Sequence, residues 1–498
     1  MNSVARLMLA GVSTLALTVP SVAQEIVQAD SQWYTDGQAL VEKMIALQPN
    51  TSRAKNVILF VGDGMGVGTN YAIRLYAGQQ QGELGEEHVL PQEAFPYTAL
   101  VKTYNINAQT PDSAPTAGAM NSGVKQIYNT INLNENAVFD DCSTESGNQL
   151  TLFSELVSGA DKSVGVVTTT RLTHATPAAV YAKTANRNWE GVAPEGCTDI
   201  GSQLLSQMEA GVIDVAFGGG SGMMVPTGTQ TAQDGEGTRE DGRNILEEAA
   251  AAGIQVANDT AGFEALTLDG SAPALGVFTT SDMTYEAERV AEREPSLAEM
   301  TEGAIKALST NEGGFYLMVE GGRIDHANHG GNASRMMQDG VAFAEAIAKA
   351  DELTDDADTL IIVTADHEHG IAFNGYCGRG TPIDGLCMGI ASGQIEHTGV
   401  PELAADGKPY PVIAYANGAG SVLVEQEDGT YSGSRPDLTQ EDAQDIDYLQ
   451  QALVPMSSET HAGVDVAAWA KGPWAHLLTG TVEQNYIFHV MNQAVSAE

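Results

Sequence analysis

The chain has 498 residues, 43% of them hydrophobic, which is enough for a large core. Acidic residues outnumber basic ones 65 to 23, for a net charge of -42, and this balance disfavours nucleic-acid binding, which needs basic patches. Such charge keeps a chain soluble but self-repelling, and salt screens the repulsion, so an acidic, salt-adapted surface and a saline habitat are expected.

The first segment reads as an export signal. Arg6 supplies a positive start, Leu7 to Val19 is apolar but too short to span a bilayer, and Ser21-Val22-Ala23 is a small-x-small cleavage site. Residues 1–23 are therefore expected to be a signal peptide and 24–498 one catalytic domain, periplasmic or secreted. Ala494 to Glu498 forms no hydrophobic tail, so no membrane anchor is expected there. Export makes disulfides plausible for Cys142, Cys197, Cys377 and Cys387. Of the three pairings that four cysteines allow, Cys142–Cys197 with Cys377–Cys387 is expected.

Apolar runs, each ending in a turn signal, then predict buried strands. They are Asn56 to Val61, Val164 to Val167, Val212 to Phe217, Phe315 to Val319 and Thr359 to Val363. Helical periodicity covers Ser296 to Leu308, Arg335 to Leu353 and Val482 to Val495. Strand–helix alternation with continuously apolar strands predicts an α/β three-layer sandwich: a mostly parallel central sheet covered by helices on both faces. Gly370 to Gly407 is Gly-rich, holds two cysteines and lacks periodicity, which reads as an irregular insertion.

Asp63, Glu320 and Asp366 each fall just past a predicted strand, where ligands bind in open α/β sheets. Glu320 opens a stretch that continues with Asp325, His326 and His329, and Asp366-His367-Glu368-His369 forms a second cluster. Imidazole and carboxylate together suit zinc, whereas all-oxygen groups suit magnesium. Ser113 lies in a Pro-flanked turn leading into a small-residue helix; in isolation it fits a helix cap better than a nucleophile. A bound metal would be needed to make it reactive. Arg187, in Asn186-Arg-Asn-Trp189, offers a fork matching two phosphate oxygens. The glycines of Gly62-Asp63-Gly64-Met65-Gly66 do not have dinucleotide-loop spacing, and no Gly-x-Ser-x-Gly elbow surrounds Ser113.

Seven stretches taken together resemble the alkaline phosphatase family, in its animal and marine bacterial branches. They are Val61-Gly-Asp-Gly-Met-Gly66, Asp112-Ser-Ala-Pro-Thr-Ala117, His174-Ala-Thr-Pro-Ala178, Asn186-Arg-Asn-Trp189, Val319-Glu-Gly-Gly-Arg-Ile-Asp-His326, Thr364-Ala-Asp-His367 and Glu459-Thr-His-Ala-Gly463. The resemblance implies hydrolysis of phosphate monoesters through a phosphoserine on Ser113, with Arg187 clamping phosphate. It implies two zinc ions and one magnesium ion: one zinc on Asp325, His329 and His461, the other on Asp63, Asp366 and His367, and magnesium on Asp63, Thr176 and Glu320. His174 and His326 would lie near the magnesium and the phosphate, and His369 would orient a zinc ligand. A homodimer is implied, and the insertion at 370–407 would correspond to a shortened crown. The further calcium-type site of animal members is not implied, because Phe278 is followed by Thr279 and Glu294 stands where an Asp is expected. The family's neighbours, phosphodiesterases and sulfatases, and an unrelated acidic calcium-binding protein are the alternatives. Thr176, Glu320 and Arg187 favour monoesters.

Overall fold

The computed structural model describes residues 26–497. The expected signal segment, residues 1–23, lies outside the described residues. The chain divides into two units, one ending at Gln48 and one from Pro49 to Glu498. Among the described residues of the first, a helix spans Gln32–Ala46.

The second unit is built on a ten-stranded sheet. Eight of its strands are β1 (Asn56–Gly62), β2 (Tyr97–Lys102), β3 (Ser163–Arg171), β4 (Val215–Gly219), β5 (Gln255–Ala257), β6 (Ala274–Val277), β7 (Phe315–Gly321) and β8 (Thr359–Ala365). Two late strands, Val466–Lys471 and Gly480–Glu483, complete it. The order is Gly480–Glu483, β2, Val466–Lys471, β8, β1, β7, β3, β4, β6, β5. All pairings are parallel except those of Val466–Lys471 with β2 and β8. The central strands β7 and β8 are buried along their whole length, which is why they read as unbroken apolar runs rather than alternating ones.

Helices cover both faces. Leu297–Leu308 and Ala333–Leu353 pack on one side, where Phe343 meets Phe60 of β1 edge-on at 5.8 Å. On the other side, Tyr316 of β7 meets Phe153, which in turn meets Phe488 of the helix Tyr486–Ser496. Ser296 begins the first of these helices with a reciprocal cap to Glu299.

The strand register positions the site. Gly62 lies opposite Gly321 on one side and Ala365 on the other, and Thr168 lies opposite Glu320. The carboxyl ends of β1, β7 and β8 are therefore level, β3 runs two residues further to Arg171, and the residues around these ends converge. β7 runs two residues beyond the expected Val319, so Glu320 sits within the strand, opposite Val61, rather than past its end. The expected helix from Val482 begins only at Tyr486. Thr481 and Val482 instead pair with Leu100 and Val101 of β2, a tertiary contact that local periodicity does not register.

Both expected disulfides are present, Cys142–Cys197 and Cys377–Cys387. The chain between β8 and Val466–Lys471 carries a small separate sheet of Ile371–Phe373, Ile413–Gly418 and Ala452–Pro455. Residues 370–407 contain that sheet's first strand and several isolated bridges.

Candidate active site

A cavity of about 560 Å³ opens at the carboxyl end of the sheet, with Ser113, His174, Arg187, Asp325, His329 and His461 among its lining. Ser113 is the first residue of the helix Ser113–Ser122, and Asp112 is its cap position. The Asp112 side chain does not cap that helix. It pairs with Arg187 and accepts the Asn129 N–H at 2.9 Å. The first N–H groups of the helix are thus left without a side-chain cap beside the cavity, and Pro115 has none to satisfy, so an oxyanion can occupy the helix start. Arg187 also has a terminal nitrogen 2.8 Å from His174 Nε2. Its guanidinium is held from two sides.

Around Ser113 the geometry is dense. Its Oγ is 3.1 Å from His367 Nε2 and 3.4 Å from Asp63 Oδ1. His367 Nε2 lies 3.3 Å from both Asp63 Oδ1 and Asp366 Oδ2. The other oxygen of Asp366 accepts the Gly64 N–H at 3.0 Å, which fixes the carboxylate's orientation. Asp63 Oδ2 is 3.3 Å from the Thr176 hydroxyl. Asp63, His174 and Glu320 present ligand atoms within 4.8 Å of one another. Thr168 and Thr170 both donate to Glu320 Oε2, while Glu320 Oε1 is buried with no protein partner.

Asp325 is the hub of a second group. Its Oδ1 lies 2.8 Å from His369 Nε2, 3.4 Å from His461 Nε2 and 3.5 Å from His329 Nε2. His329 Nδ1 donates to the Glu459 carbonyl at 2.6 Å, and His461 Nδ1 donates to the Pro111 carbonyl at 2.9 Å. Those bonds place a proton on each Nδ1, which in the neutral ring leaves Nε2 as the acceptor. The two Nε2 atoms nonetheless face one another at 2.9 Å. Two lone pairs and a carboxylate oxygen aimed at one point form a cation cradle. His369 differs: Asp325 engages one ring nitrogen and Glu459 the other. Burial opposes its charge, but these two carboxylates push His369 up to about 10.

Electrostatics point the same way. Asp63, Glu320, Asp325 and Asp366 are all buried. Burial first, then the neighbouring carboxylates, pushes Asp63 well up, and burial carries Glu320 up to about 7. Burial would also raise Asp325, but His329, His369 and His461 hold it well below the usual carboxylate range. Cations would relieve this like-charge crowding. The donor set therefore fits metal ions: mixed nitrogen and oxygen near Asp325 and His367, hydroxyl and carboxylate near Glu320.

Every site residue expected from the sequence lies at or beside this cavity. His326 stands at the wall, with Nδ1 2.8 Å from Arg323 and its ring edge-on to His174 at 5.4 Å. Glu368 departs from its cluster: its carboxylate accepts the N–H groups of Gly68 and Thr69, capping the helix Val67–Gln80 instead of facing the site. Asp112, Thr168, Thr170 and Glu459 were not singled out from the sequence. The only signal for Asp112 and Glu459 was their place within the quoted motifs. Gly64 has φ +66°, and a Cβ there would fall 2.5 Å from His369 Nε2. That glycine makes room for the histidine rather than for a nucleotide.

Strand ends that gather buried carboxylates and imidazoles around an uncapped helix start define a candidate metal-binding site on an α/β sandwich. The model of the alkaline phosphatase family matches residues 54–497. The chain is 42% identical over 482 residues to the alkaline phosphatase of Gadus morhua, covering 93% of this chain and 96% of that relative. It is 41% identical over 482 residues to the tissue-nonspecific isozyme of Gallus gallus, covering 93% and 88%. In fold it is similar to the alkaline phosphatase of Thermus thermophilus, with TM-score 0.64, 24% identity and coverage of 91% and 94%. The enzyme of the Antarctic bacterium TAB5 gives TM-score 0.60, 20% identity and coverage of 90% and 100%; a variant of that enzyme is described with magnesium bound. The chain belongs to the alkaline phosphatase family and is an enzyme of that class.

Proposed function

We propose that this chain is an exported, metal-dependent phosphate monoesterase that works through a phosphoserine on Ser113. The observation that carries the reading is the position of the Ser113 hydroxyl, within 3.4 Å of both His367 Nε2 and Asp63 Oδ1 at an uncapped helix start.

Zinc would be held by Asp325, His329 and His461 and by Asp63, Asp366 and His367; magnesium, seen in the TAB5 variant, would be held by Asp63, Thr176 and Glu320. When bound, these ions supply Lewis-acid stabilisation for negative oxygen at the serine and at the leaving group. Ser113 Oγ attacks phosphorus and gives up its proton, the ester P–O bond breaks, and the alcohol departs. Water then attacks the phosphoserine, releasing inorganic phosphate and restoring the hydroxyl. Arg187, aimed by Asp112 and His174, and the helix-start N–H groups hold the non-bridging oxygens throughout. His369, clamped between Asp325 and Glu459, orients Asp325, and His326 flanks the phosphate.

The two disulfides support export to the periplasm or beyond, as does the signal-like segment. Broad use of small phosphomonoesters, a homodimer and an acidic surface suited to saline surroundings complete the reading. Light scattering tests the dimer, and unfolding temperature against salt tests the last point.

The central test measures hydrolysis of p-nitrophenyl phosphate and bis-p-nitrophenyl phosphate before chelation, after it, and with zinc and magnesium restored. Monoester turnover lost on chelation and recovered on restoration is expected. Faster diester turnover, or activity indifferent to chelation, overturns the proposal.

A further inference from the structure

At the end of the sheet opposite Ser113, a second cavity of about 230 Å³ lies beside the amino ends of β1 and β3. Arg53, Leu156, Val157, Ala160, Lys162 and Val495 are in its lining. Lys162 is only 7% exposed. Its ammonium donates to the carbonyls of Lys55 at 2.8 Å and Gly313 at 2.5 Å, both neutral acceptors. One ammonium proton is left over.

Lys102, Lys125, Lys183, Lys349 and Lys471 each have a carboxylate partner. Among the described residues, Lys162, Arg53 and Lys55 have none, and neither do Lys43, Arg293, Lys306 and Lys408, but of these only Lys162 is buried. Buried ammonium groups are ordinarily paired, because desolvating a lone ion is costly. The want of a partner is not compositional, since the chain has 65 acids for 23 bases. Burial and the nearby Arg53 and Lys55 charges all depress the Lys162 ammonium, so the spot is positive within a negative protein. Arg53 uses Nε on the Val495 carbonyl at 2.8 Å. Its two terminal nitrogens have no acceptor among the described residues.

From this arrangement we infer that the rear cavity binds a monocarboxylate with a short alkyl chain. The head group would sit between Arg53 and Lys162, whose donors suit a planar oxyanion. The chain would lie against Leu156, Val157, Ala160 and Val495. The site is independent of the catalytic reading and shares no residue with it.

The test is equilibrium dialysis of labelled hexanoate against the zinc- and magnesium-loaded, full-chain enzyme, with stoichiometric orthovanadate occupying the active site. Sulfate carries the charge without the chain, and hexanol the chain without the charge. Hexanoate is expected to bind at one molecule per chain, with both controls at least about tenfold weaker. Arg53→Gln, at an exposed position that keeps an N–H donor for Val495, weakens hexanoate by about tenfold or more and leaves kcat/KM unchanged. No retained hexanoate, retention undiminished in Arg53→Gln, or release by orthovanadate overturns the inference.

Discussion

The Ser113 hydroxyl lies 3.1 Å from His367 Nε2 across 254 residues of sequence. β1 and β8 end on the same rung, which brings Asp63 and His367 together 3.3 Å apart, and the helix start that carries Ser113 lies against both. Ser113 is buried, and its Oγ can be removed without disturbing a backbone bond. Ser113→Ala is expected to lower kcat by roughly a thousandfold or more and to abolish acid-trappable phosphoenzyme. The unfolding temperature should move little. Phosphoenzyme persisting in the variant would remove Ser113 from the reaction.

Arg187 is paired with Asp112 and set 2.8 Å from His174 Nε2. Lysine carries the charge but not the planar fork. Arg187→Lys should therefore raise KM for p-nitrophenyl phosphate about tenfold or more and weaken inhibition by inorganic phosphate by a similar factor. Steady-state kinetics with phosphate as inhibitor check both numbers; a change in kcat alone would mean the arginine does not grip bound phosphate.

Glu459 is fully buried and acts at three points. Its carboxylate engages His369 Nδ1 and accepts the Gly370 N–H at 2.7 Å, while its carbonyl accepts from His329 Nδ1. The side chain thus steadies the imidazole that orients Asp325. Glu459→Gln is expected to lower zinc affinity roughly 10- to 100-fold, measured by competition with a chelator. Unchanged affinity would reduce Glu459 to a packing residue.

The strands that carry the site were legible because a parallel sheet buried on both faces leaves unbroken apolar runs, as in β1, β7 and β8. The ligand-type residues were legible because imidazoles and carboxylates cluster just beyond those runs. What stayed hidden depends on tertiary contact. Glu368 looks like a fourth ligand beside His367, yet it caps a helix whose start lies 300 residues away. Gly480–Glu483 is a strand only because β2 offers it a free edge. Ser113 reads as a helix cap until Asp112 is seen to occupy that position while bonding Arg187 instead.

Asp339 is a buried carboxyl outside the candidate active site. It lies on the helix Ala333–Leu353 and accepts the Glu286 N–H at 3.2 Å. Burial pushes its carboxyl up to about 8; Glu286 and Glu288 push the same way, while Arg323 and the Glu286 N–H oppose them. The folded state therefore holds this proton more tightly than the unfolded chain, whose carboxyl titrates near 4. The resulting stability is full below about pH 4 and is lost as pH rises through about 8. Asp339→Asn keeps an oxygen acceptor for the Glu286 N–H and never ionises. Its unfolding temperature should exceed that of the wild type by a margin that widens from pH 6 to pH 8 and levels off above about pH 9. Calorimetry of the metal-loaded proteins across that range checks it. A margin independent of pH would mean that Asp339 is already ionised in the fold, with a counter-charge reaching it.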